Sequence, residues 1–312
     1  MIATNNYYLK RVISSIITIL LIATLTFIMM HSIPGGPFAR ERALPAEIIA
    51  ALNEKYHLDD PLIKQYVDYM TGLITFDMGP SFKKPGYTVE ELIAIGFPNS
   101  AKIGGLAILL IIIVGIPLGI ISALKQNKPI DYIVMFIATL GVTIPAFVIA
   151  SVYLYIFAFR LEWVDAIGLD KTTSYIGPVI ALCGYSLSFV SRLTRSSMLE
   201  VLRQDYIRTA RANGISKYKV IYKHALKNAL IPVVTYLGPM IAAILTGSFV
   251  VERVFSIPGI GKYFVSSVSD RDYTVILGTT IFYAVLYVVM VLIVDVAYSF
   301  LDPRIRLGKK SE

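Results

Sequence analysis

Few residues of this sequence have the types and spacing that catalysis or metal binding needs. The histidines His31, His57 and His224 are far apart along the chain, and there is no His-x-x-x-His pair and no Gly-x-Ser-x-Gly element. Those patterns would hold a metal ion or a nucleophilic serine. The single cysteine, Cys183, permits neither an internal disulfide nor a cysteine-rich metal site. We therefore expect a chain without catalytic residues and without a metal site.

One segment resembles a phosphate-binding loop but lacks two of its essential residues. The segment reads Gly-Ile-Gly-Lys-Tyr over residues 259–263. A Walker loop needs Gly-x-x-x-x-Gly-Lys followed by Ser or Thr. Here Ser256 replaces the first glycine and Tyr263 follows the lysine. We expect no nucleotide site, so any uphill transport would draw its energy from a partner or an ion gradient.

The composition is that of a membrane protein. Of the 312 residues, 56% are hydrophobic and 16% are charged, and the mean hydropathy is +0.68. A soluble domain has about 45–50% apolar and about 25% charged residues. The net charge of +8 would suggest nucleic acid in a soluble protein. In a membrane protein the location of the charges matters more, and we expect no nucleic-acid partner.

Six long uncharged segments are each able to cross a bilayer. Its hydrocarbon core is about 30 Å thick and needs about 20 helical residues. None of the segments shows the period-two alternation of a barrel strand, so the sequence predicts an all-α polytopic membrane protein with six transmembrane helices. The segments are residues 12–39, 103–124, 132–159, 172–191, 228–251 and 273–294.

The basic residues are distributed unevenly between the two sides of this predicted topology. Seventeen of the 29 Lys and Arg residues fall on the side that carries both termini and the shorter loops. Short loops rich in Lys and Arg lie in the cytoplasm. We therefore expect both termini to be cytoplasmic, in a multi-pass protein of the inner or plasma membrane.

Neutral polar residues and helix breakers inside the spans suggest a path for a polar solute. Proline and glycine in a membrane helix free backbone groups that can line a cavity. The alternative is that each hydroxyl bonds to its own helix. Asp295 is a candidate for ion coupling, although a place near the inner interface is the simpler interpretation. The candidate path residues are Thr143, Tyr185, Thr235, Thr246 and Ser248.

Two loops are distinctive. The outer loop, residues 35–98, predicts helices over 46–56 and 62–73 and carries a Thr88-x-x-Glu91 capping box. It is either a small cap lying on the membrane or a docking surface for an external partner.

The inner loop, residues 192–227, predicts helices over 198–202, 205–213 and 217–227, with Gly214 ending the second. A basic helix of this kind can simply meet anionic lipid head groups.

Several motifs, in order along the chain, closely resemble permeases of ATP-binding cassette (ABC) importers. The inner loop reads RLTRSSMLEVLRQDYIRTARANG over 192–214, and HALKNALIP and GSFVVERVFSIPGIG follow at 224–232 and 247–261. Shorter matches are PGGP at 34–37, PAF at 145–147, RDY at 271–273 and DPR at 302–304. The sequence is most similar to the oligopeptide/dipeptide/nickel subfamily, and the long first outer loop resembles its B-type subunit. Gly36, Asn213 and Arg208 depart from the usual pattern.

The resemblance implies an ABC importer type I permease fold with a small external helical cap between helices 1 and 2. It divides the chain into residues 1–34, 35–98, 99–301 with the coupling loop 192–227, and a cytoplasmic tail, 302–312. It implies a second permease subunit, two cytoplasmic ATPase subunits that hold ATP and Mg, and an extracytoplasmic substrate-binding protein. This chain itself would be non-catalytic and would hold no cofactor. Its ATPase-coupling helix would comprise Asp205, Tyr206, Thr209, Ala210, Arg211, Ala212 and Gly214.

The substrate is not fixed by the sequence. Peptides are the solute that the resemblance favours, and nickel or another small solute is the alternative within the family. An ion-coupled secondary transporter would need an internal repeat and mid-membrane charges, and a membrane-embedded enzyme would need a buried nucleophile and base. We see neither set of features.

Overall fold

The computed structural model describes residues 2–34, 36–38, 46–245 and 247–301. Within these ranges the regular structure is helical, apart from an isolated bridge between Pro80 and Thr88. The α-helices are α1 Ile2–His31, α2 Ala46–Lys55, α3 Leu62–Thr75, α4 Val89–Leu110, α5 Ile116–Leu124, α6 Pro129–Thr143, α7 Ala146–Tyr153, α8 Ile176–Leu202, α9 Asp205–Ala212, α10 Lys217–Lys219, α11 Leu226–Ala229, α12 Ile231–Leu245, α13 Phe249–Val254, α14 Ile260–Asp270 and α15 Tyr273–Leu301.

Wider or tighter turns join some of these helices without a loop. π-type turns cover Ile111–Gly115, Leu154–Arg160 and Val220–Ala225, and a 3₁₀ turn covers Thr172–Tyr175. The first wide turn precedes Pro117, whose ring displaces the carbonyl one turn earlier. Ser191 then donates its hydroxyl to the Gly115 carbonyl at 3.1 Å. This bond joins the wide turn to α8.

Five helical segments in the described residues are long and apolar enough to cross a membrane. The long second segment begins at the predicted capping box, in which Thr88 and Glu91 each accept a hydrogen bond from the other's backbone N–H. The third predicted span, residues 132–159, is not among these five segments. The five segments are Lys10–His31, Val89–Leu124, Thr172–Leu202, Ile231–Val254 and Tyr273–Ile293.

The predicted third span, residues 132–159, is not one straight helix. It consists of α6 and α7 with the turn that follows, and the two parts are bent by 102°. Pro145 lies at the break in an extended conformation with ψ 145°, and it has no N–H with which to continue the helix. The pair is either one broken span or a re-entrant segment, so the expected count of six is reached only when the pair is counted as one crossing.

The described chain divides into two compact units. One comprises residues 2–4, 100–257 and 287–301, and the other comprises 5–99 and 258–286. The first unit has an apolar core between α4, α7, α8 and α12, with Ile111, Val190 and Val233 fully buried. In the second unit, Tyr66 and Tyr69 of α3 pack against Phe27 of α1. The helices predicted at 46–56 and 62–73 are thus present, as α2 and α3.

Candidate functional site

The short helix α9 is attached to the first unit along one apolar side. Its buried residues Ile207 and Ala210 belong to a cluster with Met198 of α8 and with Val220 and Ile221 of the turn after α10. Residues three apart lie on the same helix face, so this face holds α9 against the turn that follows α10, in a cluster that also contains Met198 of α8.

The turn after α9 depends on a glycine. Gly214 has φ +74°, in the left-handed region that side chains with a Cβ rarely adopt. Its N–H donates to the Arg211 carbonyl at 3.0 Å, and the Ile215 N–H donates to the Ala210 carbonyl at 3.2 Å. This is a Schellman motif, and Ile215 packs back onto the same cluster. The predicted role of Gly214 in ending the helix is confirmed.

The other side of α9 faces outward. The Tyr206 hydroxyl accepts a hydrogen bond of 2.7 Å from Asn228 Nδ2, which fixes the orientation of its ring. Ala210 is the exception among the residues grouped from the sequence, because it is buried in the chain's own cluster while Ala212 is exposed. The exposed members of the predicted coupling set are Asp205, Tyr206, Thr209, Arg211, Ala212 and Gly214.

A buried ion pair, hereafter the clamp, joins α6 to α8 beside this loop. Arg195 donates from Nε and Nη2 to the two oxygens of Asp131, both at 2.7 Å. Asp131 is 2% exposed, and its carboxylate also accepts bonds from the Ser122 hydroxyl and the Asn127 backbone N–H. A bidentate arginine pair is geometrically specific. These bonds offset the cost of burying the charges.

Small residues bring α5 and α6 close to α8. A Cβ on Gly119 would lie 2.5 Å from the Ser191 carbonyl oxygen and the Thr194 Cβ. A Cβ on Gly141 would lie 2.8 Å from the Gly184 carbonyl oxygen. Real Cβ atoms do not approach this closely, so these glycines permit the contact. Helices α5, α6 and α8 consequently form one packed group that carries α9.

The described candidate path residues lie in the first unit, and the hydroxyls of three of them bond locally. Thr143 and Thr235 donate to carbonyls one turn earlier in their own helices. Ser248 accepts the Val251 N–H and caps α13. These three hydroxyls therefore bond to their own helices, which is the alternative to lining a solute path. Thr246 lies outside the described residues.

Tyr185 is half-exposed and begins an aromatic row between two helices. Its ring stacks on Phe189 at 6.3 Å, and Phe189 lies 4.3 Å from the ring of Tyr236 on α12. The row joins α8 to α12, and Tyr236 is next to Thr235 in the chain. The row, formed by Phe189 and Tyr236 with Tyr185, therefore connects two of the predicted path positions, Tyr185 and Thr235.

Three buried carboxylates lie just outside the predicted spans, because a run without charge ends where an acidic residue begins. They are Asp131, Glu252 and Asp272, each 3% exposed or less. Glu252 accepts the Ser100 hydroxyl at 2.7 Å, and Asp272 accepts the Phe82 and Lys83 backbone N–H groups. All three directly flank an apolar run, which is a feature visible in the sequence. In the described part of the chain, no group of three His, Cys, Asp or Glu residues could hold a metal ion.

The fold and the loop define a helical membrane protein with a short exposed helix mounted on its spans. Residues 115–307 match the family of binding-protein-dependent transport system inner membrane components, and residues 5–103 match the N-terminal part of such components. The chain belongs to this family and is a multi-pass inner-membrane protein.

Curated relatives align over almost the whole chain. The dipeptide transport system permease protein DppB of Bacillus subtilis is 50% identical over 97% of this chain and 99% of its own length. The oligopeptide transport system permease protein OppB of Salmonella typhimurium is 44% identical over 96% and 99%. The solved structure of the inward-facing methionine ABC transporter MetNI has a similar fold, with a TM-score of 0.51, 17% identity, and coverage of 67% of this chain and 94% of that chain.

Proposed function

We propose that this chain is one of two membrane-spanning permease subunits of an ATP-driven, binding-protein-dependent importer of short peptides. The observation that carries the proposal is the 50% identity to a dipeptide permease over 97% of the chain. The partners are a second homologous permease subunit, two cytoplasmic ATPase subunits that hold ATP and Mg, and an extracytoplasmic substrate-binding protein. The chain itself is non-catalytic and holds no cofactor.

The exposed face of α9 is the docking element for an ATPase subunit. Tyr206, Thr209 and Ala212 present a small, polar surface that fits a protein cleft, and Gly214 lets the chain leave it again. Closure of the ATPases on ATP moves α9. The clamp and the packed group α5, α6 and α8 transmit this displacement to the spans. The result is a rigid-body switch between inward-facing and outward-facing states.

The solute path runs along α6, α8, α12 and the start of α13, and aromatic rings join α8 to α12. Its residues are Thr143, Tyr185, Thr235 and Ser248, together with Thr246 outside the described residues. Ser248→Trp adds bulk at the path and is expected to block uptake, with the complex and its basal ATP hydrolysis retained. Ser248→Ala removes the helix cap without adding bulk, so it serves as the control and should still import. Normal uptake by an assembled Ser248→Trp complex would remove Ser248 from the path.

Reconstitution tests the proposed function directly. The chain is co-expressed with the second permease subunit and the two ATPase subunits. The purified complex is placed in proteoliposomes with the binding protein and labelled dialanine. We expect uptake that needs ATP and both ATPases, and no uptake when a proton or sodium gradient replaces ATP. Gradient-driven uptake by this chain without ATPases would instead show an ion-coupled carrier.

Nickel or another small solute remains the alternative within the family. The same vesicles loaded with ATP discriminate the substrates, because peptide and nickel uptake are measured with separate labels. ATP-dependent nickel uptake without peptide uptake would leave the importer assignment standing and replace the substrate.

A further inference from the structure

The second unit contains a cavity of about 550 Å³. It is bounded by the end of α1, one side of α3, the loop at 77–82 and the start of α15. Its buried apolar lining includes Phe27, Tyr273 and Leu277, each less than 7% exposed. The residues that line the cavity belong to the second unit, whereas α9, the clamp and the described candidate path residues belong to the first unit.

Two phenol hydroxyls at this cavity have no hydrogen-bond partner among the described residues. They belong to Tyr69 and Tyr273, which both line the cavity, and Tyr273 is 5% exposed. The neighbouring Tyr66, by contrast, pairs its hydroxyl with that of Thr24 at 2.8 Å. Buried polar groups in folded proteins are almost always hydrogen-bonded. Burial raises the pKa of the Tyr69 phenol, so the group is a neutral hydroxyl that is able to donate.

Two carboxylates lie at the edge of the cavity. They belong to Asp68 and Asp77, which are exposed, and among the described residues its lining contains neither Lys nor Arg. The ring nitrogens of His31 are occupied, since they lie 2.9 Å from the Phe27 carbonyl oxygen and 3.1 Å from Gln65 Oε1. Carboxylates beside aromatic rings favour a cationic group. The cavity therefore combines an apolar base, two free hydroxyls and an acidic edge.

We propose that this cavity binds the amino-terminal end of a short peptide. An apolar first side chain enters among Phe27, Tyr273 and Leu277, the two phenols turn their buried oxygens toward the peptide's backbone, and the ammonium group lies beside the acidic edge. From residue 68 to residue 75, α3 contributes about 10 Å of wall at 1.5 Å per residue. That length matches about three extended residues. The inference rests on the proposed function, and adds a peptide site on this chain that is distinct from the binding protein.

Direct binding without the binding protein tests the inference. The full complex in nanodiscs is titrated with L-phenylalanyl-L-alanine and with its N-acetylated form, and binding is followed by calorimetry. We expect the free-amine peptide to bind at least tenfold more tightly than the acetylated one. Tyr69→Phe and Tyr273→Phe, which remove only a hydroxyl, should each weaken binding about 5- to 10-fold. Asp68→Asn should reduce the preference for the free amine.

Matched variants outside the cavity complete the test. Tyr87→Phe and Asp270→Asn make the same chemical changes at exposed positions of the second unit and should leave binding unchanged. Equal binding of the two peptides, wild-type affinity in both tyrosine variants, or no binding at 10 mM peptide would each overturn the inference. Peptide uptake with the binding protein is measured in parallel. A complex that imports peptides but shows no such binding refutes this site alone, whereas failure of ATP-driven import refutes the proposed function.

Discussion

Two alanines in α9 show how much a single position matters for the assignment. From sequence, Ala210 and Ala212 are equivalent small residues beside a glycine. In the structure Ala210 is 7% exposed within the cluster of Ile207 and Val220, whereas Ala212 is exposed. Only Ala212 has a side chain that a partner protein can touch. A substitution at 210 tests the stability of the loop, and a substitution at 212 tests the interface.

Ala212→Trp is expected to release the ATPases or to uncouple ATP hydrolysis from transport. Overpacking a fitted contact costs about 1–3 kcal/mol, which corresponds to roughly 5- to 150-fold in affinity. Pull-down of the ATPase subunits and substrate-stimulated ATP hydrolysis measure the effect. If the loop bound only lipid head groups, the charge would matter and the size would not.

Two variants control for this prediction. Lys219→Ala removes an exposed charge from the same loop and should have the smaller effect. Ala210→Trp should lower the yield of folded chain, because it overfills the chain's own cluster. A wild-type-like Ala212→Trp together with an inactive Lys219→Ala would contradict the assignment of α9 as the coupling helix.

Gly214→Val should impair coupling through backbone strain alone. A Cβ at this position would meet nothing within 4 Å, but φ is +74°, where a β-branched residue is an outlier. Gly214→Asn should be tolerated better, since asparagine adopts this region more readily. Gly105→Val, at a helical glycine that also has open space, is the matched control. Transport and ATPase pull-down equal to wild type for Gly214→Val would show that the turn does not need its left-handed conformation.

At the scale of elements, the clamp joins α6 to α8, and the Ser122 hydroxyl of α5 bonds the same Asp131 carboxylate. Removing one partner of a buried pair leaves an uncompensated charge and costs about 3–5 kcal/mol of stability. Because Arg195 stays partly exposed, we expect Asp131→Ala to cost about 2–4 kcal/mol. Asp131→Ala should therefore lower peptide uptake per ATP hydrolysed by several-fold, and it should lower the melting temperature of the complex. The measurement is the ratio of uptake to hydrolysis in proteoliposomes.

The double variant Asp131→Ala/Arg195→Met separates the effect of an unpaired buried charge from the effect of losing the contact between α6 and α8. It replaces the pair with apolar groups, so stability should largely return, because no buried charge is left alone. Coupling should stay low if α6 and α8 must be joined by a fixed bidentate contact. Full recovery of both stability and coupling would show that the pair contributes only to folding.

The sequence predicted the elements better than their ends and contacts. Apolar runs found most spans, because a lipid environment admits mainly apolar helices, and Thr88 with Glu91 predicted a helix start. The fourth span was predicted to end before the first charge, but α8 continues past Arg195 to Leu202. The charge of Arg195 is offset by Asp131. That pairing bridges 64 positions, and no local pattern reveals it. The bend at Pro145 was foreseeable as a breaker, but its angle is set by packing.

At the scale of the whole molecule, the proposed function requires the predicted coupling loop and the predicted external cap to lie on opposite sides of the membrane. The unequal division of basic residues predicts that the loop at 192–227 is cytoplasmic and the cap at 35–98 is not. Asp59 of the cap and Ser216 of the loop are both exposed, so a cysteine at either position is accessible from its own side. The only native cysteine, Cys183, is buried and should give little background.

A membrane-impermeant thiol reagent applied to intact cells, with any outer barrier made permeable, should label Asp59→Cys and spare Ser216→Cys. Lysing the cells should then expose Ser216→Cys to the same reagent, which shows that its thiol is reactive. Because charge in short loops sets orientation, we expect labelling of Asp59→Cys to exceed that of Ser216→Cys at least tenfold before lysis. The reverse pattern would invert the topology and would move α9 away from any cytoplasmic ATPase.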